Sequence, residues 1–265
     1  MRLGARGSRL AIRQVLRILL LIAAQAAASF DAASVTRNVS SDTRIRFETP
    51  PGRLTAVNVP LRFLIRQAYR VPEPRVLGGP AWVDTMRFDV TATAGLRASG
   101  DTVREMLRGL LRDRFGLVVH AETREMPIYV LKIARADGTL GPNLRRSSTD
   151  CSGRPSNVVA GRVQCGILVS PGQTTASLRG GGVTIANFVR LFGDFLDRPL
   201  NDATGLDGVF DFEFQFSVGL PAATTPDDLP PVSTAIHEQM GLKLDAQKGR
   251  ADVWVIDAAS QPTAN

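Results

Sequence analysis

The sequence predicts an α+β protein: two tandem repeats of a strand-helix-strand-helix-strand-strand unit, each a small mixed sheet covered by helices on one face. Three observations carry that prediction. The chain resembles itself at a nearly constant offset, each copy runs through periods of 3.6 and 2 in the same order, and the helices are apolar on one side only. Residues 59–66 correspond to 183–190 at an offset of 124, and the stretch around Phe88-Asp89 parallels that around Phe210-Asp211. Residues 115–119 match 240–244, and 128–131 match 253–256, both at an offset of 125.

The first helix of copy one places Leu61, Leu64, Ile65, Ala68 and Tyr69 on one face. Pro60 suits its first turn, where a missing N–H costs nothing. Alternation at Met86, Phe88, Val90 and Ala92 predicts a half-buried strand. A second helix carries Val103, Met106, Leu107, Leu110 and Leu111, with Thr102 and Glu105 in a capping-box pattern and Gly116 at its end. Two strands at 117–122 and 128–133 follow, joined by a charged turn before Pro127. Copy two repeats the order, with helices at 184–196 and 232–240 and strands at 209–216, 242–246 and 252–257. A short strand at 44–48 or 166–170 precedes each copy.

These elements divide the chain into a leader, 1–29, a first lobe, 30–136, a Cys-bearing linker, 137–164, a second lobe, 165–259, and a tail, 260–265. The leader holds five arginines and no acid, then an apolar run from Ile18 to Ala28 ending in small residues, the pattern of a secretory signal peptide. Its apolar part reaches only about 17 Å, short of a hydrocarbon core of about 30 Å. The expected address is periplasmic or secreted, with no membrane span once the leader is cleaved.

Charge gives a second reason to set the leader apart. Without its five arginines the formal net charge falls from +7 to +2. The remaining cations are interleaved with acids, as in Arg112-Asp113-Arg114, so no basic face suits a phosphate backbone. Nucleic acid is excluded as a partner on that ground.

Cys151 and Cys165 stand 14 apart in a polar segment, and an oxidising compartment makes a disulfide between them the leading reading, ahead of two free thiols. Candidate chemistry elsewhere is sparse. His237-Glu238 opens like a zinc-protease helix, but position 241 is Gly, so the second imidazole is missing. His120 stands near Glu122 in a strand without an evident nucleophile. Asp207, Asp211 and Glu213 lack the rest of a calcium loop, and Asp227-Asp228 lies in a Pro-rich stretch, 219–231. Gly180-Gly181-Gly182 lacks the lysine of a phosphate loop and reads as a strand end. No catalytic, cofactor or metal residues are assigned. Trp82 follows a turn and is read as core, with a partner-facing anchor as the alternative.

Two resemblances follow from these motifs. Val59-Pro60-Leu61 opening a Leu-rich helix, and a second helix running into Phe115-Gly116-Leu117, resemble the short N-terminal domain of secretins and TonB receptors. The stretches 30–35, 78–82, 111–115, 204–208 and 239–242 make the chain similar to an uncharacterised exported family of soil bacteria, notably Acidobacteria. That family resembles a domain of unknown function, fused in some relatives to a membrane-embedded metallopeptidase of the sensor-transducer type. It implies no catalytic residues, and Phe30 opening the similar region favours cleavage after Ser29.

The function expected is an exported, non-enzymatic module that binds an envelope or extracellular protein or peptide, with envelope sensing in view and no cofactor. The alternatives are an exported hydrolase using His120 or His237, and a small-ligand sensor using a cleft between the lobes.

Overall fold

The computed structural model describes residues 28–95, 98–151, 157–159, 162–172, 174–218 and 229–262. Its first half contains β1 (Ala32–Arg37), β2 (Arg46–Glu48), β3 (Arg53–Pro60), α1 (Leu61–Tyr69), β4 (Val76–Gly78), α2 (Trp82–Thr85), β5 (Arg87–Thr93), α3 (Gly100–Phe115) and β6 (Val118–Ile133). Its second half contains β7 (Leu144–Arg146), β8 (Asn157–Val159), β9 (Arg162–Pro171), β10 (Thr175–Thr184), α4 (Ile185–Phe192), β11 (Leu200–Asp202), β12 (Val209–Ser217), α5 (Val232–Met240) and β13 (Leu242–Ala258). The fold is mixed α+β, with three small sheets ordered β1-β5-β3-β2, β7-β12-β10-β9-β8 and β11-β6-β13-β4.

The chain forms two compact units that do not follow its halves. One holds the residues up to Val59 together with Arg87–Phe115; the other holds Pro60–Met86 and Gly116–Ser260. In the first unit, period 2 puts Leu54 and Ala56 of β3 and Phe88, Val90 and Ala92 of β5 into the core. The apolar stripe of α3, Val103, Leu107, Leu111 and Phe115, is buried with them, and Phe88 meets Phe115 edge-on at 5.1 Å. The helix starts three residues before the expected capping box. Ser99 is the cap, its Oγ accepting from Thr102 N at 3.3 Å, which places Thr102 inside the first turn.

The second unit has a phenylalanine core. Phe210, Phe212, Phe214 and Phe216 alternate along β12, and Phe188 and Phe192 from α4 pack on them with ring centroids 5.1–6.3 Å apart. Helix α4 stops at Phe192, short of the expected 196, and a 3-10 turn, Gly193–Phe195, continues it. The segment expected to be a linker also enters this unit, since Leu144–Arg146 pairs with β12 and Asn157–Val159 pairs with β9. Leu144 explains the entry, because it is 3% exposed and belongs to the phenylalanine core.

The largest correction concerns β6 and β13. Each was expected as two strands with a turn between, and each is one long strand, paired antiparallel from Leu242↔Ile133 to Ala258↔Val118. Pro127 does not break β6, because its missing N–H lies on the side facing away from β13, where no ladder bond is lost. On one face of this ribbon Ile128, Val130, Ala251 and Val253 are buried, joined by Leu77, Met126 and Val255.

The flanking strands come from opposite ends of the chain. β4 runs parallel to β13 with Val76 opposite Trp254, and β11 runs parallel to β6 with Leu200 opposite Tyr129. The sheet curls until these flanks meet at a seam bridged by Arg75. Its guanidinium donates to Asp252 O at 2.8 Å, Leu200 O at 2.7 Å and Asn201 Oδ1 at 2.8 Å. Asn201 Nδ2 in turn donates to Arg250 O at 2.9 Å. The small apolar cluster is therefore the interior of a curled sheet, and burial lowers the Arg75 pKa from its ordinary value.

One backbone device occurs twice. Asn58, at φ 59°, donates its N–H to Asp89 Oδ1 at 2.8 Å. Gly182, also at φ 59°, donates its N–H to Asp211 Oδ1 at 3.0 Å. Both stand just before a helix, and Asn and Gly are the residues that tolerate this left-handed conformation.

Candidate functional site

The site with most to offer a partner is the N-terminal half of β6. Tyr129 N donates to Pro199 O and Leu131 O accepts from Ala203 N, so the odd residues of β6 turn their peptide groups away from β13. The register holds without a slip from Ile133 to Val119, so Val119, Ala121, Thr123 and Glu125 point outward as well. No described strand pairs with that edge before residue 129. Ala121, Thr123 and Glu125 are exposed, and Val118 is 53% exposed. Pro127 closes the edge at one end by lacking an N–H.

Charged side chains line the same ribbon. His120 Nδ1 lies 2.8 Å from Asp257 Oδ2, and its Nε2 lies 3.5 Å from Glu122 Oε2. Arg124 pairs with Glu122, and Thr123 Oγ1 donates to Asp252 Oδ1 at 2.7 Å across the ladder. The hydrogen bond that His120 donates to Asp257, aided by Glu122, raises the His120 pKa from its ordinary value and outweighs desolvation. Carboxylates near both ring nitrogens favour the protonated imidazole.

That shift has a testable signature. A raised pKa stabilises the folded state in full below the ordinary His value of about 6.5 and loses the effect as pH rises through the raised one. Asp257→Asn should lower the His120 titration midpoint followed by NMR, and should remove that part of the pH dependence of unfolding. A midpoint indifferent to Asp257 would contradict the assignment.

A second feature is a cavity of about 750 Å³ within the second unit, whose lining includes Arg70, Thr149, Cys151, Cys165, Thr184 and Arg190. Gly182 also lines it, and the Gly180-Gly181-Gly182 run lies inside β10 with a bulge between Gly180 and Val183. At Gly181 an added Cβ would come within 2.1 Å of Val163 O, so only Gly lets β9 approach there. Thr184 caps α4 by accepting from Asn187 N at 3.3 Å.

Cys151 and Cys165 are joined, with Sγ atoms 2.06 Å apart, at the rim of this cavity. Cross-linking residues 14 apart should contribute up to about 3 kcal/mol. The double substitution Cys151→Ser, Cys165→Ser should lower the unfolding free energy from denaturant titration by up to that amount, and added reductant should not lower it further.

The other residues singled out in the sequence fall in separate places. Trp82 is half-buried at the start of α2. His237 is exposed on α5, and its carbonyl accepts from Gly241 N at 3.1 Å. Asp211 serves the bulge, and no group of three or more His, Cys, Asp or Glu suited to a metal is found among the described residues. Asp227-Asp228 lies outside the described residues.

Several consequential residues escaped the sequence reading. Arg75 gave no signal, since its acceptors are two carbonyls and an amide far along the chain. Asp257 lies 137 residues from His120. Asn58 and Asp89 were within reach, because the offsets linking them to Gly182 and Asp211 are those of the neighbouring matched blocks.

Residues 62–259 match the family described as a protein of unknown function (DUF3738). No curated protein and no solved structure matches the chain.

Proposed function

The chain belongs to this family of proteins of unknown function (DUF3738), and on that footing we propose that it is an exported, non-enzymatic protein-binding module assembled from two copies of one α+β unit. The observation that carries the binding role is the outward-facing backbone of Val119, Ala121, Thr123 and Glu125 on an exposed strand edge. An extended segment of another polypeptide adds to such an edge through main-chain hydrogen bonds, with alternate side chains giving specificity. The basic, then apolar, leader and the Cys151–Cys165 disulfide support export.

Reciprocal pairing supports the duplication. Val76 opposite Trp254 becomes Leu200 opposite Tyr129 when each residue is moved by the offset of its own block. The same shift carries the Asn58 device toward Gly182. On this reading the two copies have exchanged short strands, β4 going to the second copy's long strand and β11 to the first's.

Extended peptides selected from a displayed library test the binding role. Binders should lose affinity for the Thr123→Pro variant, which lacks one outward N–H, and keep it for Thr123→Val, which lacks only the side-chain bond to Asp252. Binders that ignore Thr123→Pro would refute the edge as the docking site. The cavity favours a second reading, small-ligand sensing, because about 750 Å³ is the size of ordinary ligand pockets. Thermal-shift screening with cell-wall fragments, sugars and peptides addresses it, since a ligand that binds only the folded state raises Tm.

A further inference from the structure

We infer that the strand which docks on this edge is β6 of a second copy, so that the protein pairs with itself about a two-fold axis at Thr123. The inference rests on the edge being a docking site, and it names the partner. With Thr123 opposite its own counterpart, Ala121 faces the second copy's Glu125 and Glu125 faces its Ala121. All three residues turn both N–H and C=O outward, so each meets a residue that does the same. Val119 then falls opposite Pro127, whose missing N–H ends the ladder.

Charge complementarity selects this partner and this register. On the face that carries His120, Glu122 comes opposite the second copy's Arg124, and Arg124 opposite its Glu122. The two side chains already lie together on that face as an ion pair within one strand, with Glu122 34% and Arg124 49% exposed. Opposite charges directly across a ladder stabilise it, and like charges destabilise it. A register that sets Ala121 opposite Thr123 brings Glu122 against Glu122. Centring on Ala121 sets Glu122 opposite His120, but it leaves Arg124 opposite Val118 and shortens the ladder.

Charged edges ordinarily deter strand addition. Here the acid and base are spaced so that a strand with the same order, run antiparallel, cancels both. β6 itself is such a strand. On the other face Val119, Ala121 and Thr123 are small or β-branched and fit a pleated surface.

The test is sedimentation equilibrium of the chain from nanomolar to high micromolar concentration. The wild type should show a monomer–dimer equilibrium. Thr123→Pro should abolish it. Glu122→Arg and Arg124→Glu should each weaken dimerisation by about tenfold or more, because each places two like-charged pairs across the axis. Mixing those two variants should restore a dimer containing one of each, since Arg at 122 of one then faces Glu at 124 of the other, and Glu122 of the second faces Arg124 of the first. Restoration on mixing also excludes misfolding of either variant. A wild type that stays monomeric, or a dimer indifferent to these changes, overturns the inference. If the wild type is monomeric and selected peptides still depend on Thr123, only self-pairing falls; if peptides ignore Thr123 as well, the edge reading falls with it.

Discussion

Two polypeptides covering residues 28–136 and 137–262 should each leave their long strand unprotected when alone and should recover it when mixed. The antiparallel partner of β6 is β13, and the ladder spans Ile133↔Leu242 to Val118↔Ala258. The flanks repeat the dependence, since β4 pairs with β13 and β11 pairs with β6. Neither fragment can satisfy the backbone of its own long strand, and unpaired buried peptide groups are costly. The first fragment contains the β1-β5-β3-β2 sheet and α3 whole, so those amides should stay protected from hydrogen exchange while residues 118–133 exchange freely. Mixing should bring protection to 118–133 and 242–258 together. Protection of residues 118–133 in the isolated first fragment would contradict the pairing.

Arg75→Met should be the most damaging single substitution at the seam, costing about 3 kcal/mol or more. The guanidinium serves three acceptors, Asp252 O, Leu200 O and Asn201 Oδ1. Methionine keeps much of the volume and satisfies none of them. Against a typical total stability of about 5–15 kcal/mol, the loss is large. Chemical denaturation should show a lower midpoint, and hydrogen exchange should speed up first at β4 and β11. Asn201→Ala should do the same more mildly, because it removes one bond to Arg250 O and one acceptor for Arg75. An Arg75→Met protein as stable as the wild type would show that the seam is held by something else.

The fold was legible where burial is periodic. The stripe Leu61, Leu64, Ile65 and Ala68 and the alternation Phe88, Val90 and Ala92 are all buried, because the face they define has to leave water. Of the short strands, β2 falls within the expected 44–48, while three others were not legible. β4, β7 and β11 have three residues each, too few for a period to emerge, and they exist because a long neighbour offers them an edge. The unbroken course of β6 was hidden by Pro127 and by the charged run from Glu122 to Met126, which normally mark a turn. Only the side on which the Pro127 nitrogen lies decides the matter, and β13 sets that side.

At the candidate site the difficulty was of another kind. The sequence shows His120 beside Glu122 but cannot show Asp257 on the ring's other nitrogen. Nor can it show an edge, because what matters there is the direction of peptide groups rather than the type of residue. Thr123 looks ordinary in the sequence and sits at the centre of the exposed backbone.

The long ladder also sets an order of events. Residues 118–133 cannot close it until residue 258 has been made, so the curled sheet is the last of the three described sheets whose strands are all available on the ribosome. Contacts of such long sequence separation make its closure slow.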